Sequence, residues 1–309
     1  MAEDKQHKVI VIAGPTASGK SQLAIDVALE IGGVIINADS QQVYGSTPIL
    51  SACPSEEDKK IVPHYLYEMW PAEKSGSVVE WLSLAAEQIR NAWAQGKTPV
   101  VVGGTGMYID NLLHGTTPIP ETKPEVREKV LRILEIEGVQ KLHSMLSEVD
   151  KVAAERLNKN DTTRVRRAYE VWLDTGKTLS QWHQLPMKKV LPEAEFFVVK
   201  ILPPQEELDG RCYLRFDKML DAGALGEAEK IYAQQLSYKL PAMRALGLPE
   251  LLDYFKGQCS QKEAVEQAKL HSRQYAKRQR TWFANKLDAQ LTLEHCYAGD
   301  KSIVKKIVN

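Results

Sequence analysis

Residues 14–21 read GPTASGKS, which fits the pattern G-x-x-x-x-G-K-[ST] at every fixed position. Gly14, Pro15, Thr16, Ala17, Ser18 and Gly19 form a loop whose backbone N–H groups can curl around phosphate oxygens. Lys20 can reach a terminal phosphate, and Ser21 can hold Mg²⁺. The pattern predicts a bound diphosphate or triphosphate with its metal. It leaves open what is attached to the phosphates, and whether a phosphate is the group that moves. Asp39, in NADSQQVY (37–44), is the second candidate. A carboxylate here can take the proton of an attacking hydroxyl, as in a small-molecule kinase, or of an amine that sheds its proton as a new bond forms. Such a base is worth ~10²–10⁴ in rate. Thr105, in VVVGGTGMYI (100–109), is the third. It can bond to Asp39, to a metal-bound water or to a phosphate, or serve only a tight turn. Arg211 and Arg215, four apart in GRCYLRF, either close on the diphosphate or pair on the surface.

These residues need a frame. KVIVIAG (8–14) is a β-branched apolar run suited to a buried parallel strand, and KSQLAIDVALEIG (20–32) is a helix whose Leu23, Val27 and Ile31 share one face. VIINAD (34–39) and TPVVVGGT (98–105) are two more strands, with a helix over 80–95 between them. This alternation predicts an α/β fold, a P-loop NTPase-like parallel sheet flanked by helices. In such sheets ligands sit at the carboxyl ends of the strands, which brings Asp39 and Thr105 to the phosphate loop. A proline-rich join, PIPETKP (118–124), then leads into helix after helix up to about residue 183. FFVVKIL (196–202) supplies one more strand, and the remainder reads as helical. The expected organisation is a discontinuous core, 1–118 with 190–309, and a helical insertion over 119–189.

Composition sets limits. The 309 residues carry 40 Lys and Arg against 40 Asp and Glu. Zero net charge argues against a protein coated in nucleic acid, but a local basic track remains open. KLHSRQYAKRQRTWFANK (269–286) is such a track: it holds no acid, and Lys269, Arg273, Lys277 and Arg280 fall on one side of a helix. Arg164, Arg166 and Arg167 form a shorter cluster, at least one of which should pair with Asp161 or Glu170. Cys53, Cys212, Cys259 and Cys296 are too scattered for a zinc site, and no disulfide is expected. His64, His143 and His183 stand in no ligand spacing. No apolar run reaches membrane-span length and MAEDKQHK has no signal core, so a cytoplasmic location is expected.

GPTASGKS, INADSQQVY, PVVVGGTGMYI, NDTTRVRRAYEVWLDTGK (160–177) and RQYAKRQRTWF (273–283) occur in that order. Together they resemble the bacterial tRNA dimethylallyltransferases, also called tRNA isopentenyltransferases. The resemblance implies transfer of a five-carbon dimethylallyl group from its diphosphate to the exocyclic amine of the adenosine 3′ of the anticodon. It implies tRNA and dimethylallyl diphosphate as partners, with Mg²⁺ as cofactor; a monomer is expected. Asp39 matches the general base and Thr105 the threonine beside the reacting centre. Asp39, Ser40, Gln41 and Gln42 match the segment lining the flipped adenine. Arg127, Thr163, Arg164, Val165, Arg166, Arg167, Met243, Arg244 and Gly247 match stretches that touch tRNA, and Arg273, Lys277 and Arg280 extend that surface. Leu248 stands where the family often has an aromatic, and the zinc finger of eukaryotic relatives is absent. The alternatives are a nucleotide or shikimate-type kinase, a transferase acting on free adenine nucleotides, and a non-catalytic RNA-binding protein. The first two need no tRNA grip, and the third leaves the phosphate loop idle.

Overall fold

The computed structural model describes residues 7–309. Its described residues divide into two compact units, one formed by residues up to 113 together with 190–309, the other by 114–189.

The first unit is built on six parallel strands: β1 (Lys8–Ala13), β2 (Val34–Asn37), β3 (His64–Tyr65), β4 (Pro99–Gly103), β5 (Glu195–Ile201) and β6 (Leu291–Leu293), in the order β3-β2-β4-β1-β5-β6. Alternate residues of a strand face opposite ways. Val9 and Val11 therefore enter one apolar layer, with Ile36, Trp81 and Phe283, while Ile10 and Ile12 enter the other, with Leu23, Val27 and Val102. Burial on both faces explains why β1 reads as an unbroken apolar run.

Four helices of this unit precede the insertion: α1 (Lys20–Ile31), α2 (Glu56–Ile61), α3 (Val78–Ala94) and α4 (Gly106–His114). The second unit holds α5 (Pro124–Val149), α6 (Lys151–Arg156), α7 (Thr162–Thr175) and α8 (Leu179–Trp182) around Val130, Leu142, Leu146 and Val165. Gly138, at φ 79° and ψ 171°, breaks α5 into two helical stretches. After β5 come α9 (Gln205–Asp221), α10 (Ala224–Ala233), α11 (Leu248–Phe255), α12 (Gln261–Lys286) and, last, α13 (Lys301–Val308).

Two strands escape the sequence reading. β3 is two residues long, and β6 lies in the stretch expected to be helical. Both are edge strands, too short to show a period. The core cluster of α9–α12, around Phe216, Leu248 and Leu251, completes the first unit.

The register places the chemistry. Ala13 lies opposite Gly103, and Asn37 opposite Val102. The chain thus leaves β1, β4 and β2 at one level, on adjacent strands. GPTASGKS, GGTG and DSQQ emerge side by side.

Candidate active site

The phosphate loop leaves β1 and opens α1. Gly19 has φ 87°, and a Cβ there would stand 2.4 Å from the Tyr297 carbonyl oxygen, so only glycine fits. Tyr297 backs the loop in two further ways: its N–H donates to the Ser18 carbonyl at 2.9 Å, and its hydroxyl donates to Asp26 at 2.6 Å. The Ser18 hydroxyl is buried without a partner. Ser21 is exposed at the first turn of α1.

The cations at this loop are crowded. Burial pushes the Lys20 ammonium down to about 8; Asp39 opposes the shift and the Arg215 charge adds to it. Burial lowers Arg215 as well, with Cys212 and Asp39 opposing. Arg215 makes no ion pair or hydrogen bond among the described residues. Two desolvated cations within electrostatic reach of each other are what an anion would relieve. The two expected clamp residues part company here. Arg211 instead donates a long hydrogen bond, 3.5 Å, to the Tyr297 carbonyl.

Asp39 is held by its own turn. The Asn37 side-chain oxygen accepts from Asp39 N–H at 2.8 Å, and Asp39 Oδ1 accepts from Gln41 N–H at 3.0 Å. Asn37, fully buried, also donates to the carbonyls of Asp39 and Leu66, and its own carbonyl accepts from Trp81 Nε1 at 2.9 Å. Thr105 does not bond Asp39. Its Oγ1 accepts from Ser40 N–H at 2.9 Å and donates to Ser40 Oγ at 3.2 Å. Its hydroxyl is spent on pinning the segment that carries the acid. Gln42 is engaged too, donating to the carbonyls of Ser51 and Ala52 at 3.0 and 2.6 Å.

Each glycine of GGTG lies close against a neighbour that a Cβ would displace. A methyl at Gly103 would stand 2.1 Å from the Ala38 oxygen. One at Gly104 would lie 2.5 Å from Gln279 Nε2, and one at Gly106 would lie 2.4 Å from the Trp282 ring. The turn is therefore a packing surface for α12. Gln279 carries that contact: Thr16 N–H donates to its Oε1 at 2.8 Å, and its Nε2 donates to the Gly104 carbonyl at 2.8 Å. The sequence reading missed Asn37 and Gln279. A signal for Gln279 exists: it continues the buried stripe Ala264, Ala268, Ser272 and Ala276 at helical spacing.

The basic track differs from expectation. α12 holds no acid over 269–286, but α9 supplies them. Lys269 pairs with Asp217 at 2.7 Å and Arg273 approaches Asp209 at 3.9 Å, while Arg280 donates to the Pro203 carbonyl at 2.7 Å. These cations flank the buried stripe and so meet the neighbouring helix. The exposed cations are Lys277, Arg278 and Lys286, which with Trp282 line a groove of about 590 Å³. Met243 is buried among the α9–α12 residues and Gly247 packs on Phe216, which leaves Arg244 as the exposed member of that stretch.

In the second unit Val165 is core, Arg164 pairs with Asp161 at 3.6 Å, and Arg166 pairs with Glu170 at 3.2 Å. Arg167 donates to Thr122 at 2.5 Å, and Arg127 pairs with Glu121 at 3.2 Å. Thr163 is exposed. Among the described residues no cluster of three His, Cys, Asp or Glu could hold a metal, the four cysteines are free thiols, and no helix is long and apolar enough to cross a membrane.

Residues 42–286 match the model of a family described as IPP transferase. A tRNA dimethylallyltransferase of Zymomonas mobilis is 44% identical over 284 residues, covering 92% of this chain and 90% of that protein. The solved tRNA delta(2)-isopentenylpyrophosphate transferase of Staphylococcus epidermidis is similar with a TM-score of 0.68 and 35% identity, over 98% of this chain and 97% of that one. A eukaryotic dimethylallyltransferase, solved acting on tRNA, is similar with a TM-score of 0.78 and 29% identity, over 90% of this chain and 70% of that one. With a family match over most of its length and a relative this similar end to end, the chain belongs to the IPP transferase family.

Proposed function

We propose that this protein transfers the dimethylallyl group from dimethylallyl diphosphate to the exocyclic amine of the adenosine 3′ of the anticodon in tRNA, acting as a cytoplasmic monomer. The observation that carries the reading is the electrostatic coupling of two cations at the phosphate loop, Lys20 and Arg215, to the Asp39 carboxylate. Cations at a phosphate loop stabilise charge that builds on a diphosphate as it leaves. A carboxylate within their electrostatic reach serves a nucleophile that must lose a proton.

The residues also fit Mg²⁺. Ser21 offers one exposed hydroxyl at the start of α1, and no cluster of three His, Cys, Asp or Glu stands ready to hold a metal among the described residues. Mg²⁺ is commonly held this way, by one or two protein oxygens with substrate phosphates and waters. When bound, it would neutralise charge on the leaving diphosphate.

In the reaction the bond between the allylic carbon and the diphosphate oxygen breaks, and its electron pair leaves with the diphosphate. The adenine amine forms the new carbon–nitrogen bond. Its proton passes to Asp39 Oδ2, since Oδ1 is engaged by Gln41 N–H. Thr105 acts through Ser40, holding the acid in place. The target base must first leave its stack, which costs less in a loop than in a duplex.

Asp39→Asn tests the proposal. The amide oxygen can still accept from Gln41 N–H, so the turn survives while the base is lost. The single-turnover rate at saturating substrates should fall by ~10²–10⁴, with tRNA affinity retained. A near-native rate would remove Asp39 from this role. Label from dimethylallyl diphosphate entering AMP rather than tRNA, or hydrolysis of ATP, would redirect the whole reading.

A further inference from the structure

We infer that Gln279 is a positioning residue that fixes the separation between the leaving-group loop and the base-bearing turn. This rests on the prenyl-transfer reading above.

Thr16 follows β1 and Gly104 follows β4, and these strands are neighbours in the sheet. Beyond the strand ends no ladder bond joins the two loops. The Gln279 amide spans them instead, accepting from Thr16 N–H and donating to the Gly104 carbonyl, both at 2.8 Å. Gln279 is buried, so each loss would leave an unpaired backbone group in a dry place. On one side the amide sets the phosphate loop. On the other it sets Gly104, next to Thr105, which holds Ser40 and so Asp39. The geometry between diphosphate and base thus passes through one side chain of α12.

The same helix presents Lys277 and Arg278 to solvent and lays Trp282 against Gly106. A shift of α12 on binding at its outer face would therefore move both loops together.

The bond directions identify the residue type. One atom must accept and the other must donate. An ionised carboxylate would accept from Thr16 but repel the Gly104 oxygen. A protonated carboxyl would satisfy both. Gln279→Glu is therefore a reversible version of the clamp, since burial raises the pKa of such a carboxyl.

The experiment measures single-turnover prenyl transfer to unmodified tRNA, at saturating tRNA and dimethylallyl diphosphate. Native protein, Gln279→Glu and Gln279→Leu are compared from about pH 6 to about pH 8.5. Each variant's rate is divided by the native rate at the same pH. For Gln279→Glu the ratio should rise about tenfold as pH falls, which corresponds to one or two hydrogen bonds regained. For Gln279→Leu it should stay low and flat, with the KM for tRNA unchanged. Reversible recovery within one preparation of Gln279→Glu separates positioning from misfolding, even should Gln279→Leu fail to fold. A pH-independent ratio for Gln279→Glu would overturn the inference. Absence of transfer by the native protein would overturn the underlying reading instead.

Discussion

Lys20 provides a quantitative test of the crowded anion site. Its ammonium titrates at about 8 against an ordinary 10.5, because burial and the Arg215 charge outweigh the attraction of Asp39. In metal-free buffer at pH 8.5 roughly a quarter of the free protein then carries the Lys20 proton. A bound diphosphate restores the ordinary value, so binding takes up roughly 0.7 of a proton at pH 8.5 and roughly 0.1 at pH 7. Dimethylallyl diphosphate is a suitable ligand because its own last ionisation lies well below pH 8. Calorimetric titration in two buffers of different ionisation enthalpy gives the uptake directly. Lys20→Arg is the blank, keeping the charge without titrating. The sign for stability follows from the same shift. The folded pKa lies below the unfolded one, so the ligand-free fold carries a cost below pH 8 that fades as pH rises from 8 to 10.5. Its ceiling is of order 3 kcal/mol. Equal uptake by native protein and Lys20→Arg at pH 8.5 would refute the crowding argument.

Two further outcomes follow. Lys277→Ala should reduce the slope of log tRNA affinity against log salt by about one, while Lys269→Ala, whose cation already faces Asp217, should change it little; filter binding at several salt concentrations distinguishes them. Gly138→Ala should destabilise the second unit by about 1–3 kcal/mol, because φ 79° with ψ 171° is open to glycine alone; denaturant unfolding or hydrogen exchange confined to residues 114–189 reads it.

What was legible in the sequence follows physical lines. Strands buried on both faces, such as β1 and β4, announce themselves by continuous apolar runs. The phosphate loop does so because its shape needs residues of fixed type at fixed spacing. The placement of Asp39 beside the loops after β1 and β4 was legible because it directly follows a buried strand of the same parallel sheet. The role of Thr105 was not, since its partner, Ser40, is set by the neighbouring strand. The α12 stripe misled because a run without acids says nothing about acids on the next helix, and Asp209 and Asp217 lie some sixty residues away in the chain. Gln279 was hidden by its surroundings: among Lys277, Arg278 and Arg280 it reads as one more polar surface residue.

The loop that opens α1 is braced by residues made long after it. Thr16 and Gln279 are 263 residues apart, and Tyr297, which backs Ser18 and Gly19, comes later still. At the usual pace of synthesis, about 5–20 residues per second, roughly 10–50 s separate the appearance of the loop from that of its clamp. During that interval the nascent chain displays its recognisable motif without the means to hold it in shape. The shape of the loop therefore waits on a helix and a tyrosine made long after the loop itself.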